Sequence, residues 1–207
     1  QKRLEVAWLQ AQIQPHFLFN TLNSIASLAY IDIDRMRDLL VAFGDYLRTS
    51  FGSANSDQWV PLRKELDLIR AYLYIEKERF EGRIRVAWEV DENLELKIPP
   101  LSVQPLVENA VRHGILRRSE GGTVRIRIRD AGDGVEIAVE DDGVGLEPDK
   151  LSRVLQGGGL NEHSGIGLAN TDRRLKQIYG KGLLVRSHPG EGTIVSFVVP
   201  KSQMYGK

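Results

Sequence analysis

Apolar residues recur in alternating steps of four and three near the start of the chain: Leu4, Trp8, Ala11, Pro15, Leu18, Leu22, Ile25 and Ala29. That rhythm is the seam of a helix packed in a bundle, and it predicts one long helix over 4–29. Pro15 sits on the seam and is expected to bend it, because proline removes a backbone donor and crowds the preceding turn. His16 follows, and Asn20 lies one turn later on the same face, both directed away from the bundle axis. Phe17 is off the seam, joined at helical spacing to Ile13, and calls for a second packing surface from another helix or another subunit. Asp32 and Asp34 punctuate the end of this helix. A second helix is expected from about Met36 to Phe51, with Leu39, Leu40, Phe43, Leu47 and Phe51 on one face, giving an antiparallel hairpin. After a polar turn over 52–57, Pro61 stands where a helix starts well. Leu62, Leu66, Ile69, Leu73, Glu76 and Phe80 carry a third helix to about Gly82.

Beyond Gly82 the period switches from helix to strand. Ile84, Val86 and Trp88 alternate with polar or small residues, and Leu94, Leu96 and Ile98 repeat the pattern after a turn over 91–93. Val124, Ile126 and Ile128 alternate with arginines. Val135, Ile137 and Val139 alternate likewise after Ala131-Gly132-Asp133-Gly134, so a hairpin with one solvated face is expected. Residues 147–164 hold three consecutive glycines and no strong period, which predicts a mobile loop. A helix is expected over Ile166 to Tyr179, then strands over 184–187 and 193–199 around Pro189-Gly190. The boundary between a helical first part and an α/β second part falls near Gly82.

Between the strand patterns lies Pro-Leu-Val-Glu-Asn-Ala-Val-Arg-His-Gly, residues 105–114. Its apolar positions Leu106, Val107, Ala110 and Val111 are spaced for one buried helix face. Glu108, Asn109, Arg112 and His113 are left as a polar set. A neutral amide oxygen beside an arginine suits a hard cation carrying phosphate oxygens; an ordinary amphipathic surface helix would show the same pattern. Two glycine clusters follow. Asp141-Asp142-Gly143-Val144-Gly145 stands at a strand exit, where a carboxylate could accept the exocyclic amine of adenine and glycines would let backbone approach the ring. Gly165-Ile166-Gly167-Leu168 opens a helix, whose first N–H groups suit phosphate. No parallel βαβ unit surrounds it, which excludes the dinucleotide-fold reading.

Composition narrows the possibilities. Lysine plus arginine equal aspartate plus glutamate at 28 each, which argues against a general nucleic-acid binder. The absence of cysteine excludes disulfides, thiolate catalysis and cysteine-ligated zinc. No apolar run approaches a bilayer span, and the start does not read as a signal peptide. The lack of an initial methionine suggests a piece of something longer.

In this order, the motifs resemble the ATP-binding domain shared by sensor histidine kinases, type II topoisomerase ATPases, heat-shock-90 chaperones and mismatch-repair ATPases. The resemblance implies a GHKL-type, Bergerat α/β sandwich with a mixed, mostly antiparallel sheet over 83–207. Asn109 would be the Mg2+ ligand of the N box, with Arg112 and His113 as partners on the phosphate side. Asp141, Gly143 and Gly145 resemble the adenine-side G1 box. Gly165, Ile166, Gly167 and Leu168 resemble the G2 box, and Thr193 in Gly190-Glu191-Gly192-Thr193 the last element near the adenine. Residues 14–23, Gln-Pro-His-Phe-Leu-Phe-Asn-Thr-Leu-Asn, resemble the phosphoacceptor box of LytS-like sensor histidine kinases. The segment from Pro61 to Phe80 resembles the one that comes after it there. The class expected is therefore α+β, with residues 1–82 serving dimerisation and histidine phosphotransfer.

The resemblance implies ATP-dependent autophosphorylation of His16, then transfer to an aspartate of a response regulator receiver domain. Asn20, one turn on, would orient water for a phosphatase reaction or be a plain surface amide. The loop over 147–164 would be the lid. A homodimer through the N-terminal helices is expected, in the cytoplasmic portion of a bacterial inner-membrane sensor whose spans lie upstream. Two departures stand out. Hydrolytic relatives carry a glutamate one turn before the metal asparagine, where this chain has Pro105; Glu108 points elsewhere around the helix. Many histidine kinases follow their histidine with an acid, where this chain has Phe17, so the proton acceptor is unassigned between candidates such as Glu78 and Asp45. A nucleotide-binding dimeric scaffold and an ATP hydrolase remain the alternatives.

Overall fold

The computed structural model describes residues 15–54, 59–91, 95–156 and 166–206. Leu4, Trp8, Ala11 and Ile13 of the expected first helix, Leu94, and the glycines at 157–159 and 165 lie outside them, as do residues 157–164 of the expected lid. The chain divides into two compact units, residues 1–81 with 99–101, and residues 82–98 with 102–207.

Three helices make the described part of the first unit: α1 (Pro15–Leu28), α2 (Ile33–Ala54) and α3 (Leu62–Arg79). α2 starts three residues before the expected Met36, because Asp32 caps it: its carboxylate accepts the Arg35 N–H at 3.1 Å. Pro61 stands just before the first turn of α3.

The second surface that Phe17 demands comes from α2 and α3. Its ring lies 5.2 Å from Tyr46, edge-on, and 5.4 Å from Tyr72. The Arg79 guanidinium stands 6.0 Å from the Phe17 centroid and is ion-paired to the buried Glu76. Thr21, fully buried, donates its hydroxyl to the Phe17 carbonyl at 2.7 Å.

This packing corrects the expected seam. Leu22 on α1 and Leu40 on α2 are exposed, whereas α2 buries Leu39, Phe43, Tyr46 and Ser50. Each helix carries two apolar stripes, and only one of them can face the three-helix core. The stripe that meets the Phe17–Tyr46–Tyr72 cluster removes the larger aromatic area from water.

In the second unit, five strands form one mixed sheet: β1 (Ile84–Val90), β2 (Gly122–Asp130), β3 (Gly134–Asp141), β4 (Leu184–His188) and β5 (Gly192–Pro200). Their order is β1-β2-β3-β5-β4, with only the β1–β2 pair parallel. The chain thus forms an α+β fold with a mixed, mostly antiparallel sheet. The expected return strand over 94–98 does not pair with β1 in this sheet. β1 instead takes β2 as its parallel neighbour, Ile84 opposite Gly122 and Val90 opposite Ile128. Parallel neighbours need a long crossover, and the segment carrying Asn109 supplies it.

The period-2 pattern sorts the two faces as expected. Val124, Ile126, Ile128, Ile137, Val139, Val195, Phe197 and Val199 are buried. On the opposite face charges pair across strands: Glu89 with Arg125 and Arg127, Arg127 with Glu140, Arg129 with Glu136. These pairs neutralise an exposed face and account for the interleaved arginines. Between β1 and β2 lies a short helix, α4 (Gln104–Asn109). Part of the expected loop is helical: α5 (Pro148–Leu155) has Pro148 at its first position and Asp149 in its first turn. It buries no residue, although Leu151, Val154 and Leu155 recur at helical spacing. α6 (Ile166–Tyr179) matches the expected span. No helix among the described residues is long and apolar enough to cross a membrane.

Adjacent phenylalanines test the first-unit core. Phe17, 9% exposed, should cost about 3–5 kcal/mol when changed to alanine. Phe19→Ala, at a side chain 67% exposed, should change urea unfolding by less than about 0.5 kcal/mol.

Candidate functional site

The stretch expected as one helix over 105–114 is divided among three pieces. α4 ends at Asn109, a single wide π turn spans Ala110–Gly114, and a tight 3-10 turn spans Ile115–Arg117. In the wide turn hydrogen bonds skip five residues, which inserts one residue into the coil and re-aims the chain beyond it; such turns recur at functional sites. Leu106, Val107, Ala110 and Val111 are buried, as the pattern implies, and Asn109, Arg112 and His113 are half-buried.

The wide turn delivers Gly114 to the end of β3. A Cβ on Gly114 would stand 2.5 Å from Asp141 Oδ1, and one on Gly143 would stand 2.2 Å from the Gly114 carbonyl carbon. Neither contact is sterically possible, so two bare backbones and one carboxylate share a space that admits no side chain. Gly145, at φ 67°, makes the next close approach: a Cβ there would lie 2.0 Å from the His188 carbonyl oxygen.

Asp141 is 4% exposed. Its Oδ1 accepts the Gly143 N–H at 2.9 Å. Burial pushes this carboxyl up to about 6, against the opposing effects of that hydrogen bond and of the Arg118 charge. Across the antiparallel ladder Asp141 stands opposite Thr193, and Thr193 opposite Ser187. The two hydroxyls lie 2.7 Å apart, and Ser187 Oγ accepts the Leu146 N–H at 2.8 Å. One cross-strand row thus ties the carboxylate, the threonine and the glycine loop together. This end of the sheet presents a buried acceptor inside a backbone cradle, an arrangement that the edge of a planar amine-bearing ring, donating its N–H, fits.

His113 is held down to about 4 by burial and by Arg112 and Arg117, so it is a neutral hydrogen-bonding group, and Arg112 carries the positive charge. Among the described residues no three His, Cys, Asp or Glu side chains converge as a metal site. A divalent ion here would lean on a single neutral oxygen such as that of Asn109 and otherwise on the oxygens of its own ligand, as Mg2+ commonly does. Gly167 lies in the first turn of α6, and a Cβ there would meet open space. Leu168 is buried beneath it.

In the first unit, His16 is exposed. Asn20 Nδ2 lies 3.2 Å from its Nδ1 and 3.1 Å from its Nε2. A donor in the ring plane cannot be equally near both nitrogens without striking the Cε1–H between them. The amide therefore sits over the ring face, and the in-plane edges of both nitrogens stay open. Both acids weighed as proton acceptor are paired with arginines. Glu78 is bound by Arg35 at 2.7 Å and Asp45 by Arg48 at 2.9 Å.

Sequence reasoning missed Arg118, Gly114 and Ser187 as members of this site. Gly114 and Ser187 were visible only as a helix end and a strand residue, and Arg118 as one cation in a polar turn; their roles depend on contacts between segments far apart in the chain.

Known proteins resemble this chain over nearly all of its length. Residues 4–84 match the family described as Histidine kinase. Residues 101–203 match the family described as Histidine kinase-, DNA gyrase B-, and HSP90-like ATPase. The protein YwpD of Bacillus subtilis (strain 168) is 40% identical over 99% of this chain and 73% of its own length. The sensor histidine kinase YpdA of Escherichia coli (strain K12) is 38% identical over 97% of this chain and 35% of its own. The sensor protein LytS of Bacillus subtilis (strain 168) is 36% identical over 98% of this chain, and the chain spans only 35% of that protein. Among solved structures, the histidine kinase domain of a blue-light activated histidine kinase from Erythrobacter litoralis superposes with a TM-score of 0.56 at 24% identity, covering 96% of this chain and 94% of that one. The catalytic domain of the histidine kinase ThkA superposes with a TM-score of 0.57 at 16% identity, covering 70% of this chain and 98% of that one. At these identities the two structures establish the fold.

The Asp141 carboxyl gives a pH test. Its proton affinity is higher folded than unfolded, so the folded state takes up a proton first. Stability of the α/β unit should therefore rise as pH falls from about 7 to about 5, and Asp141→Asn should flatten that slope in urea unfolding across the range.

Proposed function

Because this chain belongs to the histidine kinase family, with an ATPase-type α/β unit following its phosphoacceptor segment, we propose that it autophosphorylates His16 from ATP and passes the phosphoryl group to an aspartate of a response regulator. The observation that carries the reading is the row Asp141–Thr193–Ser187 closed by the Gly114–Gly143 contact. It supplies a buried acceptor for the adenine amine at the exit of a strand, with Asn109 one turn upstream of Gly114 on the same segment. Asn109, with Mg2+ coordinated mainly by the triphosphate, is read as the metal ligand. The ion would neutralise charge on the β- and γ-phosphates. Arg112 supplies positive charge to the phosphates, and neutral His113 supplies a hydrogen bond. The first N–H groups of α6, at Ile166, Gly167 and Leu168, are read as phosphate donors; Gly165 would complete that turn. The lid remains assigned to residues 147–164, which include α5.

In the transfer a ring nitrogen of His16 forms a bond to the γ-phosphorus as the bond to the bridging oxygen breaks, and ADP leaves. The ring must also release its N–H proton. With Glu78 and Asp45 engaged by arginines and His16 exposed, water is the acceptor that the surroundings of His16 provide. Pro105, buried in α4, occupies the place where an ATP hydrolase would need a glutamate, which disfavours hydrolysis. Asn20 is read as the residue that directs water at a phosphorylated partner aspartate. Its amide lies over the imidazole, beside the surface a regulator would approach.

The exposed Leu22 and Leu40 stripe suits a second copy of this chain, so a homodimer through the first unit belongs to the proposal. So does a place in the cytoplasmic part of a bacterial membrane sensor, with contact to the membrane only through other segments. The net charge of zero disfavours a nucleic-acid partner.

Incubation with γ-labelled ATP and Mg2+ should place an acid-labile, base-stable label on the chain. His16→Gln and Asn109→Ala should each abolish it, whereas label surviving in His16→Gln would overturn the assignment. Asn20→Ala should retain the label yet lose most dephosphorylation of a phosphorylated regulator; full phosphatase activity in that variant would sink the role given to Asn20.

A further inference from the structure

Arg118 follows the 3-10 turn that ends the Asn109 segment, and nothing in the proposed chemistry uses it. Its Nη2 donates to the Gly143 carbonyl at 2.9 Å and also to the Gly190 carbonyl. Gly143 belongs to the loop after Asp141, and Gly190 to the turn between β4 and β5. These two stretches touch once more, through the Gly190 N–H and the Val144 carbonyl at 2.7 Å. Arg118 is itself held. The Arg83 guanidinium, just before β1, donates to the carbonyls of Leu116 and Arg118 at 2.9 and 3.0 Å, and the Gly121 N–H adds a second bond to the Arg118 carbonyl at 3.1 Å. Two arginines in series thus connect the start of β1, the exit of the Asn109 segment, the Asp141 loop and the β4–β5 turn.

A loop rich in glycine loses much conformational freedom when it orders around a ligand. A guanidinium bonded to its carbonyls removes that freedom beforehand, and charge-assisted bonds are the strong ones. We infer that Arg118 is a positioning residue for adenine recognition, latching the Asp141 loop to the β4–β5 turn so that the base-binding cradle is formed before nucleotide arrives. It acts through Gly143 and Gly190, and its charge also favours the ionised carboxylate that accepts the adenine amine. Arg118 is the cation facing Asp141, and Glu140 and Asp142 are the anions. The residues that β2, β5 and the wide turn set against it are Val124, Thr193 and Gly114, all uncharged. The two effects are separable, because lysine keeps the charge, but its shorter stem does not carry a donor to both the Gly143 and Gly190 carbonyls as Nη2 does.

This inference rests on the adenine nucleotide reading, and ADP titration calorimetry on the chain, repeated between about pH 5 and pH 8, tests both. Wild-type protein should bind ADP, with affinity falling as pH drops through about 6, where Asp141 takes up its proton. Arg118→Met should weaken binding by on the order of tenfold and move that midpoint upward. Arg118→Lys should restore the midpoint and leave most of the affinity loss. A role confined to fold stability would lower the urea midpoint of both variants equally and leave the pH midpoint unmoved, and that result would overturn the inference. So would unchanged ADP affinity in a folded Arg118→Met protein. Wild-type protein that bound no ADP would instead overturn the nucleotide reading, and the latch with it.

Discussion

A carboxylate with almost no exposure is the constraint around which the α/β unit is arranged. Burying Asp141 is unfavourable unless its charge is met by hydrogen bonds and opposite charge. The chain meets it with the Gly143 N–H and with Arg118 nearby. Bringing those groups close enough requires backbone where side chains would otherwise stand. Hence Gly114 and Gly143 touch, and the segment carrying Asn109 ends in a wide turn rather than another coil of α-helix. In the proposed function, the group that would otherwise be destabilising is the acceptor for the adenine amine.

The first unit solves a different problem. In the proposed function its phosphoacceptor, His16, must be reachable by a nucleotide and by a partner, yet stand on a rigid element. Phe17 provides the rigidity. Clamped by Tyr46, Tyr72 and Arg79, it fixes the rotation of α1 about its axis, and the preceding side chain is then forced outward. Phe17 stands where many histidine kinases carry an acid and serves here as an anchor; in the proposed function proton removal falls to solvent.

Both units bury acids. The α/β unit buries Asp141 and Asp172 and lays other charges out as cross-strand pairs on the far face of the sheet. The helical unit buries Glu76 against Arg79 and pairs Arg35 with Glu78 and Arg48 with Asp45 nearer the surface. Beside the imidazole it places the Asn20 amide.

Much of this was legible along the chain, for a simple reason: period and punctuation are local properties. Alternation gave β2, β3 and β5 with their buried faces, α6 fell on its expected residues, and the order Asn109, Asp141, Gly167, Thr193 was enough to suggest the family. Other features depended on which distant segments meet. The parallel pairing of β1 with β2 and the choice of the Phe17–Tyr46–Tyr72 stripe over the Leu22–Leu40 stripe are of this kind. So are the register that sets Asp141 opposite Thr193 and the reach of Arg118 to two carbonyls. Hydrophobic periodicity states that a face is buried and never against what, because burial energy is non-directional. Partners are chosen by shape, register and hydrogen-bond geometry, and these exist only once the chain has closed on itself.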